Sequence, residues 1–530
     1  MNIQENIEQA KKYIADNKLN LALRLLKQLL KSDSNAIEEI FLEIGKIYFI
    51  QKKYMKSKFY LNKIKREDLI QYSYDLLFQI YDRLKDYNKI INIFSKFYKK
   101  NINKYILYAI LKSYYELKKI SKVFSIINVI RNSNICDDLL ENLINDIYKN
   151  LSDNIQFLNS KNKKKEVEIL FKKIYKNIPI KDIKFKNIIL NEYEIAKSKI
   201  RLKSYPRIAQ VVITTKCNLN CIMCFESNHD AKYVFSDKQF NDLVEIMPYL
   251  QRLILRGGEV FLYNNFDRLL YESYRNNVVV EILTNGLLLN EKNIKKLIKM
   301  NAVLNFSIDS PIKETYEFIR RGAKFEKLIS NILMLNKIKK EIKSNAKFNI
   351  NMVVMRKNYK EIIDMIKFAK KYDFQGLNLN PIIGNNNENC FACNVDEFII
   401  KELRDRRREY ELIAKNNDII LINKLPDNVP KFGDIAKYKS SLKNKNINMF
   451  CYTPWRELFL DETSSYSPNC LCEKKYKIDN SKSNNSIVEF WNSNFMREYR
   501  KNMIIKKEYK ICSKECLRNK YNSYDRYRII

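Results

Sequence analysis

Over the first 150 positions, apolar residues recur three and four apart and no proline interrupts them. That spacing puts them on one face of an α-helix and predicts a run of amphipathic helices. The pattern also repeats. IYFIQKKYMKSKF from Ile47 is echoed by IYDRLKDYNKIINIF from Ile80 and by SYYELKKISKVFSII from Ser113. Tyr48, Tyr81 and Tyr114 are therefore 33 residues apart, and a looser copy, KYIADNKLNLALRLL, starts at Lys12. Residues 151–204 read as further lysine-rich helix. From Ile208 the texture changes to short β-branched runs: IAQVVITT, RLILRGG, VVVEILTN, VLNFSID, FNINMVVM and GLNLNPI. Helical stretches such as DKQFNDLVEIMPYL, NEKNIKKLIKM and YKEIIDMIKFAKKY separate them. This alternation predicts parallel strands with right-handed crossovers, as a doubly wound sheet or as a partial barrel. Both architectures bind ligands at the carboxyl ends of the strands.

At 530 residues the chain exceeds one hydrophobic core and suggests two to four domains. The N-terminus is charged from the start, without the apolar stretch of a secretory signal. No later run reaches the roughly 18–20 apolar residues of a membrane span, so a cytoplasmic location without a membrane span is expected. The net charge of +36 raises nucleic acid as a partner. The lysines, however, are spread along the whole length among Asn, Ile and Tyr, a diffuse excess that argues against a phosphate-binding face.

Glycine and cysteine carry more information. Four of the eight glycines are Gly257, Gly258, Gly286 and Gly322, kept where the backbone needs positive φ or close ligand approach. The single histidine, His229, excludes a His-rich zinc site. Cys136 stands alone on a helical stretch and reads as a small buried apolar residue. The other ten of the 11 cysteines form three groups further along, which in a cytoplasmic chain points to metal or redox chemistry.

The first predicted strand runs into TTKCNLNCIMCF, where Cys217, Cys221 and Cys224 have the spacing C-x3-C-x2-C. A structural zinc site needs four ligands, and only His229 is near enough to be a fourth. A [4Fe–4S] cluster on three cysteines leaves one iron open to a small molecule. The loop resembles the signature of the radical S-adenosylmethionine (SAM) superfamily, which follows the first strand of a partial (β/α)6 barrel. The resemblance implies reductive cleavage of SAM and hydrogen abstraction by a 5′-deoxyadenosyl radical, with the cofactor carrying the difficult chemistry. It spans roughly residues 208–385 and extends to later strand ends. Gly257-Gly258-Glu259 matches the motif that contacts the SAM amino group. Thr284-Asn285-Gly286 matches a segment near the SAM ribose, with Asn285 the contact residue. Ser307 and Asp309 in SIDS match residues facing the cofactor, and Arg320 stands where an arginine pairs with the SAM carboxylate. Arg321 is an alternative for that last role.

The C-terminal stretch, from MFCYTPWRELFLDETSSYSPNCLC to YKICSKECL, resembles the SPASM/twitch extension of radical SAM enzymes. That resemblance implies one auxiliary [4Fe–4S] cluster on Cys451, Cys470, Cys512 and Cys516, with Cys472 a weaker choice. Zinc on the same thiols remains the alternative. The copy departs from the fuller pattern: the central cysteine run and the usual glycine are missing, and the last pair is C-x3-C. Cys390 and Cys393 follow the sixth strand and read as a redox pair or a ligand at the barrel mouth, or as loop residues without a role. Trp455 and Arg456 are expected to pack and pair locally rather than act on substrate.

The period near 34 in paired helices resembles tetratricopeptide repeats, which stack into a solenoid with a concave binding face. Gly45 falls at that motif's small position, and an irregular bundle is the alternative. The expected organisation is multidomain. An all-α tetratricopeptide-like solenoid (1–150) and a helical linker (151–204) precede an α/β partial (β/α)6 barrel (205–390). A helical connector (391–447) then leads to a small Cys-rich SPASM/twitch-like domain (448–520). By resemblance, the substrate is a peptide or protein side chain, the repeats bind that substrate or a partner, and flavodoxin or ferredoxin donates electrons. The rival readings are a non-catalytic scaffold with structural metal sites and an RNA-modifying radical SAM enzyme.

Overall fold

The computed structural model describes residues 3–30, 36–97, 104–133, 136–224, 233–381, 397–425, 451–469, 472, 476–477 and 486–505. It divides into two compact units, residues 1–189 and 190–530.

Among its described residues the first unit has helices and no strands. In order they are α1 (Ile3–Ala15), α2 (Leu19–Leu29), α3 (Ile37–Ile50), α4 (Tyr54–Leu61), α5 (Glu67–Arg83), α6 (Tyr87–Phe97), α7 (Lys104–Glu116) and α8 (Ile120–Asn132), followed by α9 (Asp138–Ser160), α10 (Lys164–Ile174) and α11 (Ile183–Ala196). The tyrosine period has a backbone cause. The carbonyls of Tyr13, Tyr48, Tyr81 and Tyr114 each accept from the amide five residues on, at Lys18, Lys53, Asp86 and Lys119. Between them Asn17, Lys52, Lys85 and Lys118 take positive φ. This is the turn that ends a helix and satisfies its last carbonyls, and it recurs once per helix pair. α3 and α4 pack closely at Gly45, where a Cβ would stand 2.6 Å from Leu61 Cδ2.

The unit runs past residue 150 to Ile189, and α9, α10 and the start of α11 belong to it. Cys136 is exposed rather than buried. It lies in the connection between α8 and α9, not on a helix face, and its thiol sits 3.5 Å from the Glu141 carboxylate.

In the second unit, β1 (Ile208–Thr214), β2 (Arg252–Gly257), β3 (Val279–Thr284), β4 (Val303–Ser307), β5 (Lys347–Val354) and β6 (Gly376–Pro381) match the six expected runs. Between them lie α12 (Asp237–Ile246), α13 (Phe266–Arg275), α14 (Glu291–Lys299), α15 (Lys313–Ile319), α16 (Phe325–Ile342) and α17 (Ile362–Lys371). α18 (Glu397–Asp405), α19 (Arg407–Asn416) and β7 (Ile420–Asn423) follow. The stretch expected as a helical connector thus contributes a strand. Last come α20 (Thr453–Arg456), β8 (Glu457–Leu460), β9 (Ser465–Ser467), β10 (Tyr476–Lys477), α21 (Ile487–Trp491) and α22 (Asn494–Ile505).

The strands form one sheet in the order β10-β9-β8-β1-β2-β3-β4-β5-β6-β7. β8 and β1 to β7 run parallel, and β9 and β10 are antiparallel additions. Because β1 to β7 are sequential neighbours, every right-handed crossover falls on the same face. That order belongs to a (β/α) barrel and not to a doubly wound sheet, which reverses at a switch point. The core follows from it. Alternate strand residues (Val211, Leu255, Ile282, Phe306, Ile350, Leu377) join Leu243, Leu270, Leu297, Leu335 and Met365 of the helices in one buried cluster.

Residues 197–207, which span the end of the expected helical linker, are irregular and held by polar anchors from the C-terminal helices. Trp491 Nε1 donates to Ser204 O at 2.7 Å and Trp455 Nε1 to Lys199 O at 2.8 Å. Arg500 donates to the carbonyls of Ile200, Pro454 and Trp491. Glu192 accepts from Arg207 and from Arg456, both buried, which joins the start of β1 to the start of β8. Trp455 and Arg456 therefore pack and pair, but with partners far away in sequence rather than local ones.

Candidate active site

β1 ends in a β-bulge at Thr214, and the chain then turns through Lys216 into the cysteine loop. The loop is pinned from both sides. Gly258 N donates to Thr214 O and Glu259 N to Lys216 O, each at 2.8 Å. Asn220 N donates to Arg321 O at 2.9 Å and Ile222 N to Ile319 O at 3.0 Å. Ile222 and Met223, between the second and third cysteines, pack against the buried pair Ile319 and Met355, as Val353 does. Cys221 is buried, whereas Cys217 and Cys224 are exposed. Burial raises the Cys217 thiol and pushes Cys221 up to about 11, the Arg320 charge acting the other way on Cys221. Among the described residues, no three His, Cys, Asp or Glu side chains are arranged to hold a single metal ion.

The two glycines after β2 make this approach feasible. A Cβ on Gly258 would lie 2.3 Å from Lys216 O and 2.6 Å from Thr215 O, and Gly257 has φ +136°. Glu259 is fully buried, and its carboxylate accepts from Thr284 Oγ1 and from Asn285 N, both at 2.8 Å. Burial pushes its carboxyl up to about 7 against those hydrogen bonds. Asn285 Nδ2 donates to Asn218 Oδ1 at 2.9 Å, linking the third strand end back to the cysteine loop.

At the fourth strand end, Asp309 and Arg320 form a buried ion pair, Nη2 to Oδ2 2.8 Å. Burial raises the Asp309 carboxyl while Arg320 opposes that shift. Arg320 Nη1 reaches Cys221 Sγ at 3.8 Å. Arg321 is exposed, so Arg320 is the arginine that the fold turns inward. Ser307 is half-buried beside Asn351 in the β4–β5 register.

The structure thus brings Cys221, Glu259, Asn285, Asp309 and Arg320 to the carboxyl ends of β1 to β4, with Cys217 and Cys224 on the same loop. It adds three residues that sequence reasoning passed over. Asn358 is buried and holds the Asp309 carbonyl at 2.7 Å, and Asn218 and Tyr316 complete the surroundings. Asn358 follows the fifth strand in VVMRKN, a polar strand-end residue of the kind that marked the other four. Cys451 is buried and Cys472 half-buried in the core beside the sheet. His229, Cys390, Cys393, Cys470, Cys512 and Cys516 lie outside the described residues.

Residues 211–369 match the model of the Radical SAM superfamily. A GTP 3′,8-cyclase of Clostridium perfringens is 27% identical over 33% of this chain and 55% of its own. The antilisterial bacteriocin subtilosin biosynthesis protein AlbA of Bacillus subtilis is 22% identical over 52% of this chain and 57% of its own. A cysteine-type anaerobic sulfatase-maturating enzyme of Clostridium novyi is 29% identical over 32% of this chain and 49% of its own. The chain spans about half the length of these relatives. No described helix is long and apolar enough to cross a membrane. With the cysteine loop, the glycine pair and the buried carboxylates all at one end of a sequentially ordered parallel sheet, residues 211–369 form a radical SAM domain.

Proposed function

We propose that the chain holds a [4Fe–4S] cluster on Cys217, Cys221 and Cys224 and binds SAM against Gly257, Gly258, Glu259, Asn285, Ser307, Asp309 and Arg320. On this reading it abstracts hydrogen from a peptide or protein side chain. The observation that carries the site is a pair of orphaned buried polar atoms. Arg320 Nε and Tyr316 Oη are buried without a hydrogen-bond partner among the described residues. Tyr316, Arg320 and Cys221 lie close enough to act on one another's charge. Buried donors of this kind are normally satisfied, so these two atoms suit a polar group that the described residues do not themselves supply. When bound, the cluster and SAM supply a 5′-deoxyadenosyl radical through reductive cleavage of a sulfur–carbon bond.

The chain's own residues orient what binds. Glu259, fixed by Thr284 and Asn285, presents a carboxylate suited to an ammonium group. Arg320, held by Asp309, presents a guanidinium suited to a carboxylate. Gly257 and Gly258 bring backbone against the ligand where any side chain would collide with the cysteine loop.

A polypeptide substrate is supported by the sulfatase-maturating relative, which by its name acts on a protein. It is also supported by the 33-residue helical repeat, which we read as a tetratricopeptide-like solenoid for the substrate or a partner. The GTP 3′,8-cyclase relative favours a second reading, a nucleotide substrate. We assign Cys451, with Cys470, Cys512 and Cys516, to one auxiliary [4Fe–4S] cluster in a SPASM/twitch-like domain, and flavodoxin or ferredoxin to electron supply.

The test is anaerobic reconstitution with iron and sulfide, addition of SAM and dithionite, and mass-spectrometric measurement of 5′-deoxyadenosine. The product should form in the wild type and vanish when Cys217, Cys221 and Cys224 become alanine. Iron-replete protein that makes none, with either a peptide or a nucleotide pool present, overturns the reading.

A further inference from the structure

The face of the sheet turned away from the helices is polar over much of its width. Arg252 Nη1 bonds Glu281 Oε2 at 3.1 Å, Asn305 Nδ2 bonds Glu281 Oε1 at 2.8 Å, and Asn349 Nδ2 bonds Asn305 Oδ1 at 3.1 Å. Toward the carboxyl ends, Asn378 Nδ2 bonds Asn351 Oδ1 at 2.8 Å and Lys424 Nζ bonds Asn380 Oδ1 at 2.9 Å. Side chains with amides, paired across neighbouring strands, thus line this face.

Arg256 differs from the other arginine of β2. It sits on this same face beside Val212 in the register, one residue before Gly257. Its guanidinium lies 5.7 Å above the ring of Phe459 on β8, and Phe459 is buried. Arg252 has Glu281 as its anion, whereas Arg256 makes no hydrogen bond or ion pair with any described residue. Half-burying a guanidinium without an acceptor is unfavourable. A cation over an aromatic ring is attracted to its face but gains no hydrogen-bond acceptor there, so the guanidinium's donors stay available to an anion.

We propose that Arg256 is the binding site for an oxyanion of the substrate, a carboxylate or a phosphate, on the helix-free face just below the Gly257–Gly258–Glu259 turn. Such a fork binds carboxylate and phosphate oxygens bidentately. Asn351, Asn378 and Asn380 stand on the same face to hydrogen-bond the neutral polar part of the same molecule. The inference deepens the proposed function and rests on its placing substrate at the carboxyl ends of these strands.

The test uses the full, anaerobically reconstituted chain and the rate at which phenylglyoxal modifies each arginine, read by peptide mass spectrometry. Arg256 should react faster than ion-paired Arg252. A hexapeptide with one glutamate, or inorganic pyrophosphate, should slow Arg256 about tenfold at 90% occupancy, the first naming a carboxylate source and the second a phosphate. Arg256→Met, which keeps the contact with Phe459, should lose binding of whichever probe protects. The proposal is overturned if neither anion protects, if the glutamine version of the peptide protects equally, or if SAM alone protects. Formation of 5′-deoxyadenosine by the same preparation reports separately on the enzyme reading. Its absence beside a protected Arg256 sinks that reading and leaves the oxyanion site standing.

Discussion

Replacing Glu192 with alanine should destabilise the second unit by about 4 kcal/mol, and the reason is a count of buried charges. Glu192 is fully buried and is an acceptor for two buried guanidiniums, Arg207 and Arg456, with Arg456 Nη2 at 2.6 Å. The three side chains carry a net charge of +1. Removing Glu192 leaves two buried cations and a net charge of +2, whereas removing Arg456 leaves a neutral pair. Each charge-assisted hydrogen bond contributes about 1.5–3 kcal/mol, and breaking a buried ion pair costs about 3–5 kcal/mol. Glu192→Ala should therefore fall within that range, at about 4 kcal/mol, and Arg456→Met below it, at about 2–3 kcal/mol, the worth of one charge-assisted hydrogen bond. Arg207 would retain Gln251 Oε1, 2.7 Å from its Nε, in either variant.

The assay is urea unfolding followed by tryptophan fluorescence. The chain has two tryptophans, Trp455 and Trp491, both buried in the second unit, so the signal reports that unit alone. A loss near 4 kcal/mol would lower the melting temperature by about 6 °C for a unit spanning residues 190–530. The reasoning is refuted if Glu192→Ala costs less than about 1 kcal/mol, or if Arg456→Met costs more than Glu192→Ala.

Three further outcomes follow from the site. Gly258→Ala places a methyl group 2.3 Å from Lys216 O, so the cysteine loop must shift; expect a loss of about 1–3 kcal/mol and less iron bound per chain after reconstitution, measured by iron assay. Arg320→Met strands the buried Asp309 carboxylate and should cost about 3–5 kcal/mol, while exposed Arg321→Met should stay within about 0.5 kcal/mol; equal effects would reverse the choice between the two arginines. Glu259 has its folded pKa raised to about 7, so the folded chain holds a proton there that the unfolded chain has lost. Its contribution is then fully present below the unfolded carboxylate range and is lost as pH rises through 7, an effect of about 3 kcal/mol. Wild-type stability should fall relative to Glu259→Gln between pH 5 and 8, as read from urea midpoints, and a pH-independent difference would remove burial as the cause.

The parts legible in the sequence were those set by local chemistry. Six β-branched runs became β1 to β6 because alternate residues in each face a common apolar layer. The tyrosine period marked the helix-ending turns, since each turn is a short-range hydrogen-bond pattern repeated with its residues. C-x3-C-x2-C and the glycine pair announced a loop and its close neighbour, because only glycine fits there.

Other features depended on contacts between residues far apart in sequence. β7 and β8 are four residues each, too short for their pattern to stand out, and they exist because β6 and β1 offered unpaired edges. Residues 197–207 have helical composition, yet Trp455, Trp491 and Arg500 hold them irregular by claiming their carbonyls. Arg320 and Arg321 are chemically equal in sequence, and only the packing of α15 buries one and exposes the other. Glu192 looked like one surface carboxylate among many until the fold enclosed it with two arginines, because burial and charge pairing are properties of the assembled core rather than of any segment.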